Sequence, residues 1–256
     1  MGAGLSFAAM RRPLTLAVTL GLLLLLGSCG GDKEKTAGRK TEAKKPAATA
    51  TQPPARTTPA AQPRCLRTAA PRPKPGLKLA KPDLKLDAKK SYEALMDTNC
   101  GQFSIALDVK RAPKTTASFV YMAREGLYDN TLFHRIVAGF VIQGGDPLGT
   151  GQGGPGYSVV EAPPSDLKYT KGVVAMAKTE IEDPGTSGSQ FYVVTADDAQ
   201  LPADYALLGK VTAGQDVIDR IAIVRTDATN PDPARQERPI NPVVLRTVTI
   251  TESKAK

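Results

Sequence analysis

FHRIVAGFVIQGGDP, residues Phe133–Pro147, is the stretch from which the fold is read. Phe133 to Val137 has the composition of a strand, and Ala138-Gly139 that of a turn. Phe140 to Ile142 is a second apolar run, stopped by Gly144-Gly145-Asp146-Pro147. The stretch carries an aromatic, an arginine, a glutamine and the only histidine of the chain. An always-charged planar donor, an amide and apolar side chains held together on paired strands make a small pocket for a neutral group bearing a carbonyl.

Upstream, Tyr92 to Thr98 and Gly101 to Val109 alternate apolar and polar residues, and Asn99-Cys100-Gly101 reads as the turn of a hairpin. Ala112-Pro113-Lys114-Thr115 opens a helix with proline in its first turn, and Gly126 ends it. Downstream, short strands are expected over Gly172 to Ala177, Phe191 to Thr195 and Ala206 to Val211. Val217, Ile218, Ile221 and Val224 place a second helix over Ala213 to Val224. A polar, proline-rich loop follows from Thr226 to Pro239, and a strand from Val243 to Thr251 closes the domain. Many short strands with only two helices exclude a doubly wound α/β sheet. They fit an antiparallel sheet that hides its edges by closing into a barrel.

The N-terminus is organised differently. Arg11-Arg12, the apolar run Leu14 to Leu26 and Leu26-Gly27-Ser28-Cys29 have the pattern of a signal peptide ending in a lipobox, which resembles bacterial lipoproteins and makes Cys29 the lipidation site. The apolar run is short for a spanning helix, which needs ~20 residues. Residues 1–28 are therefore read as a lipoprotein signal peptide, 29–76 as a disordered linker rich in Lys, Pro, Ala and Thr, 77–90 as transitional, and 91–253 as the folded domain. Leu77, Leu79, Leu84 and Leu86 are candidates to dock on that domain.

The net charge of +9 is unevenly spread. Residues 29–90 hold 16 Lys and Arg against 5 Asp and Glu, whereas 91–256 hold 16 against 20. A mildly acidic compact part argues against nucleic-acid binding, which needs a basic face on the folded domain. With Cys29 lipidated, Cys65 and Cys100 remain in an oxidising exterior and either pair or stay as free thiols. Three cysteines and one distant histidine have no metal-ligand spacing.

Several motifs dissolve on inspection. His134 alternates with Arg135 on its strand, so it is expected on the opposite face as a satisfied core histidine rather than a catalytic base. Gly185-Thr186-Ser187-Gly188-Ser189 has its second glycine misplaced for a nucleophile elbow. Gly151-Gln152-Gly153-Gly154-Pro155-Gly156 precedes a strand-like run, not the helix a dinucleotide fingerprint requires.

What remains is Arg135, Phe140 and Gln143 with a second cluster, Gly188-Ser189-Gln190-Phe191-Tyr192. FHRIVAGFVIQGGDP, the following GTGQGGPG, GSQFYV and LLGKV together resemble the signature segments of cyclophilin-type peptidyl-prolyl cis-trans isomerases, from about Tyr92 to Glu252. The resemblance implies a closed eight-stranded antiparallel β-barrel capped by two α-helices, with no cofactor and no metal. It implies Arg135, Phe140 and Gln143 as catalytic residues. Phe140, Val141 and Tyr192 correspond to the proline pocket, and Gln143, Gln190 and the backbone at Ala177 and Lys178 to the substrate groove. Gly151, Leu201 and Tyr205 correspond to its rim. Gln200, Tyr205 and Lys178 stand where many eukaryotic members have Trp, His and Asn, so cyclosporin sensitivity is not carried over. The loop from Lys178 to Ser187 brings charges to the groove and is expected to favour basic or polar substrate flanks.

The reading is an exported, lipid-anchored monomeric prolyl isomerase at the outer face of the bacterial cytoplasmic membrane. Its partners are proline-containing polypeptides and the membrane, with no nucleic acid. The alternative is the same barrel serving as a chaperone or X-Pro-binding module with little turnover.

Overall fold

The computed structural model describes residues 64–254. The expected signal peptide, Cys29 and the upstream part of the linker lie outside these residues. Eight strands close into an antiparallel barrel: β1 (Lys90–Thr98), β2 (Gly101–Leu107), β3 (Thr131–Val137), β4 (Val141–Asp146), β6 (Val173–Met176), β8 (Phe191–Val194), β9 (Leu207–Ala213) and β10 (Val244–Lys254). They are ordered β1-β10-β3-β4-β8-β6-β9-β2. Two short strands, β5 (Val159–Val160) and β7 (Thr186–Ser187), form a separate ribbon. The barrel closes where β1 pairs with β2 on one side and β10 on the other, in register from Lys90↔Lys254. First and last strands thus consume each other's open edges.

The barrel interior is filled from alternate strand positions. Phe191, fully buried, is its aromatic hub: it meets Phe119, Tyr128 and Phe133 edge-on at centroid distances of 6.0, 5.9 and 6.0 Å. Such edge-to-face pairs place the positive rim of one ring on the negative face of another. The helix α1 (Pro113–Arg124) contributes Phe119, Val120 and Met122 to this core, and α2 (Gln215–Ala222) contributes Val217, Ile218 and Ile221.

Local chemistry sets the helix ends. Ala112 offers no capping side chain, so α1 takes its cap from Glu161, whose carboxylate accepts from the N–H groups of Lys114 and Thr115 at 3.0 and 2.8 Å. An anion at a helix N-terminus satisfies otherwise orphaned donors and complements the dipole. Helix α2 is shorter than the apolar spacing suggests because β9 runs on through Ala213 to Gly214, which sits at φ +75°. A Cβ there would lie 2.4 Å from the carbonyl oxygen of Gln102, so glycine alone lets the strand pass directly into the helix.

The linker boundary at residue 76 is corrected by the structure. Residues 64–76 lie on the domain rather than free of it, because their polar groups and one cysteine find fixed partners there. Cys65 and Cys100 form a disulfide. Leu66 N–H donates to the Asn99 carbonyl at 2.8 Å, and Lys74 N–H to the Pro147 carbonyl at 2.9 Å. The Lys74 ammonium donates to the carbonyls of Gly126 and Leu127, both at 3.0 Å, where α1 ends. Leu77, Leu79, Leu84 and Leu86 pack against the core. This arm is local in space but distant in sequence, so its cross-link, of sequence separation 35, removes about 3–4 kcal/mol of unfolded-state entropy in the chain-entropy account. Cys65→Ser is therefore expected to lower Tm by about 6–16 °C and to speed tryptic cleavage after Arg67. An unchanged cleavage rate contradicts the tether.

Candidate active site

Strands β3 and β4 carry the opening stretch as a hairpin, with Val137 facing Val141, Ile136 facing Ile142 and Arg135 facing Gln143. The ladder then slips between Phe133 and Arg135. This bulge at His134 lets Phe133 and Ile136 both enter the core while Arg135 and Val137 remain partly exposed. It also corrects the expectation for His134. The ring does not pass to the opposite face: it is buried beside Arg135, in the same cavity of about 250 Å³, and among the described residues neither ring nitrogen has a well-aligned hydrogen-bond partner. Burial holds its pKa below the usual histidine value, with Arg238 and Arg135 pushing the same way, so the ring is neutral at pH 7.

Arg135 is fixed at two atoms. Its Nε donates to the Glu237 carboxylate at 2.5 Å, and Nη1 lies 3.4 Å from Gln143 Oε1. The amide of Gln143 in turn donates to Gln190 Oε1 at 3.1 Å, and the Gln190 amide donates to the carbonyls of Gly151 and Gly153 at 3.0 and 2.9 Å. A carboxylate on one edge and a chain of oriented amides on the other leave the guanidinium little rotational freedom.

Beside it lies a cavity of about 120 Å³ lined by Arg135, Phe140, Val141, Gln143, Ala177, Lys178, Tyr192, Leu201 and Tyr205. Strands β4 and β8 bring Val141 and Tyr192 onto one outer face of the barrel, since Gln143 pairs with Tyr192 and Val141 with Val194. Phe140 is held at the hairpin turn, where its carbonyl accepts from Thr195 N–H at 2.9 Å. Tyr169 buttresses the floor from outside the motif segments. Its hydroxyl donates to the Tyr205 carbonyl at 2.7 Å and accepts from Tyr205 N–H at 3.0 Å, and burial pushes its pKa up to about 12. Tyr169, Tyr192 and Tyr205 pack ring on ring. The Tyr192 hydroxyl is buried without a hydrogen-bond partner among the described residues, and burial raises its pKa well above the usual tyrosine value.

Gly151 and Gln190 line a second, adjoining cleft of about 670 Å³ that shares Gln143, Ala177 and Lys178 with the first. The glycine-rich turn forming its rim is folded around an internal anion. The buried carboxylate of Asp146 accepts from the N–H groups of Leu148, Thr150 and Gly151 at 2.7, 2.8 and 2.5 Å. These are the donors that a phosphate would need, and they are already used. Lys178 differs from its sequence-based expectation as well. Its side chain is only 4% exposed, its ammonium pairs with Asp204 at 2.8 Å, and Tyr205 lies beneath it at 5.6 Å. Its charge is therefore compensated internally where the residue borders the two cavities.

Sequence reasoning did not find Glu237, Tyr169 or Asp204. Glu237 lies in the polar loop whose Glu237 carbonyl accepts from Ile136 N–H at 2.8 Å, so the loop is stitched directly behind Arg135. Among the described residues no group of three or more His, Cys, Asp or Glu side chains is arranged to hold a metal.

The closed barrel thus carries an apolar socket on its outer wall, a guanidinium fixed at its mouth and a polar cleft alongside. The family description "cyclophilin type peptidyl-prolyl cis-trans isomerase" matches residues 94–250. A peptidyl-prolyl cis-trans isomerase of Arabidopsis thaliana is 39% identical over 163 residues, covering 62% of this chain and 93% of its own. Peptidyl-prolyl cis-trans isomerase B of Streptomyces anulatus is 38% identical, covering 61% and 95% respectively. Among solved structures, a cyclophilin type peptidyl-prolyl cis-trans isomerase of Cryptosporidium parvum superimposes with a TM-score of 0.57 at 30% identity, covering 63% of this chain and 98% of that one. The same enzyme in the presence of the dipeptide Ala-Pro gives 0.56. The chain belongs to the cyclophilin-type peptidyl-prolyl cis-trans isomerase family, and it is an isomerase of that class.

Proposed function

We propose that Arg135 carries the isomerisation chemistry and that the enzyme works on exported proline-containing polypeptides, tethered through a lipid on Cys29 outside the cytoplasmic membrane. The observation that carries the first half is the shared wall: the guanidinium held by Glu237 and Gln143 lines the same cavity as Phe140, Val141, Tyr192 and Leu201.

An X-Pro bond rotates over a barrier of ~18–20 kcal/mol because twisting it breaks amide resonance. Both isomers are thermally populated, so the reaction needs no driving force, only a lower barrier. No covalent bond forms or breaks, and neither a nucleophile nor a general base is required. As the amide twists, the prolyl nitrogen regains its lone pair. A guanidinium N–H aimed at that nitrogen binds the twisted state more strongly than either planar isomer, which is how differential binding accelerates a reaction. The apolar socket holds the ring still while the preceding carbonyl swings. Gln143, Gln190 and the backbone at Ala177 and Lys178 hold the flanking chain, with Gly151, Leu201 and Tyr205 at the rim.

The export half rests on the leader pattern before Cys29, on a proline-rich spacer long enough to stand a domain off a surface, and on a disulfide, a bond that persists in oxidising compartments. The test is fractionation of cells expressing the full chain. Isomerase activity is expected in the membrane fraction and detergent phase, and Cys29→Ser is expected to move it to the soluble phase with kcat/KM unchanged. Equal partition of the two proteins contradicts the anchor.

A further inference from the structure

The large cleft beside the proline socket has one wall that does not come from the family domain. The family match begins at residue 94, yet Lys74, Gly76, Leu77 and Lys78 line this cavity of about 670 Å³ together with Gln143, Ala177 and Gln190 of the substrate groove. The arm that supplies them is fixed along its length, by the disulfide at Cys65, by Lys74 on Pro147, Gly126 and Leu127, and by Leu79 N–H donating to the Pro155 carbonyl at 2.7 Å. A wall held at so many points is a built surface rather than a passing strand.

The charges on the cleft differ in how far they are committed. Lys178 is paired with Asp204. Glu182 accepts from both the N–H and the hydroxyl of Thr179, at 2.6 and 2.8 Å. The Lys74 ammonium is spent on two backbone carbonyls, and the Asp129 carboxylate partly offsets its charge. Lys78 is exposed and forms no ion pair with any described residue. Its root is immobile nonetheless, because it packs on Gly156 so closely that a Cβ there would sit 3.2 Å from Lys78 Cβ. Glu180 and Asp183, the other acids of the loop, do not line the cleft.

We propose that the arm segment Lys74–Lys78 forms a subsite for the substrate residues flanking the proline, and that Lys78 makes this subsite prefer acidic side chains. This rests on the isomerase reading and reverses the preference for basic flanks expected from the 178–187 loop. The structure supplies the reason: the loop's charges are internally spent or point elsewhere, whereas the arm presents an uncommitted ammonium.

The test measures kcat/KM of the full chain by NMR exchange on three hexapeptides that share an Ala-Pro core and carry glutamate, serine or lysine at every flanking position. Wild type is expected to favour the glutamate over the lysine peptide by up to about fivefold, the range of an exposed ion pair. Lys78→Glu is expected to invert that order. Lys110→Glu, the same charge change in the turn after β2, is expected to keep it, and about 0.5 M salt to erase it. A wild-type ratio near one, an unchanged order in Lys78→Glu, or an equal shift in Lys110→Glu overturns the subsite while leaving the isomerase intact. No acceleration of any of the three peptides by wild type overturns the isomerase reading itself, and the subsite with it.

Discussion

Arg135→Ala is expected to lower kcat/KM for a proline tetrapeptide by about 100- to 1,000-fold, the usual cost of removing one preorganised donor from a transition state. The loss should fall on kcat. The socket of Phe140, Val141, Tyr192 and Leu201 does not include the guanidinium's charge among its apolar contacts, so ring binding persists and KM changes little. Arg135→Lys is the informative companion. It keeps the charge but loses the planar fork that lets one edge bond Glu237 while another reaches Gln143. Its activity should lie between those of wild type and the alanine variant. A fall of less than about threefold for Arg135→Ala contradicts a role for this residue in the chemistry.

Phe191→Ala is expected to cost about 3–5 kcal/mol of stability, read as a lower urea midpoint at unchanged slope. Phe191 is fully buried on β8, contacts three aromatic rings edge-on, and lies against the backbone at Gly145, where even a Cβ would come within 2.9 Å of its ring. No smaller side chain reaches all of these surfaces, and a rigid barrel wall closes poorly over the space left behind. The same strand turns Tyr192 outward into the socket. Activity per folded molecule should therefore fall far less than stability, which separates a packing role from a catalytic one. A loss below about 1 kcal/mol contradicts the hub assignment.

Much of this could be read before the structure. The barrel is legible because antiparallel strands with one buried face alternate, as β1 does from Tyr92 to Thr98, where Tyr92, Ala94, Met96 and Thr98 are buried and the residues between them are not. Arg135, Phe140, Val141 and Gln143 are legible as a group because one hairpin brings them together. The bulge at His134 is not, since the residues of a bulged strand read like those of a regular one, and its effect is to move a whole side chain to another face. Glu237 is hidden for another reason. It lies 102 positions from Arg135 in a polar loop, where a carboxylate bonded to a guanidinium is indistinguishable from one facing water. The short strand β7 has two residues, too few for any period. The arm is hidden by composition: its prolines and lysines look like spacer, and the disulfide and hydrogen bonds that hold it go to partners distant in sequence.

The central claim is that the socket and Arg135 form a catalytic site rather than a receptor for X-Pro segments. The most direct measurement is two-dimensional exchange NMR on an Ala-Pro peptide with catalytic amounts of the full chain, wild type and Arg135→Ala side by side. Cis and trans forms exchange over tens of seconds or longer without a catalyst. With wild type, cross-peaks between them are expected at mixing times below a second, and with Arg135→Ala they should vanish although the peptide still shows line broadening from binding. Binding by wild type with no exchange cross-peaks, or cross-peaks of equal strength in the variant, contradicts the account.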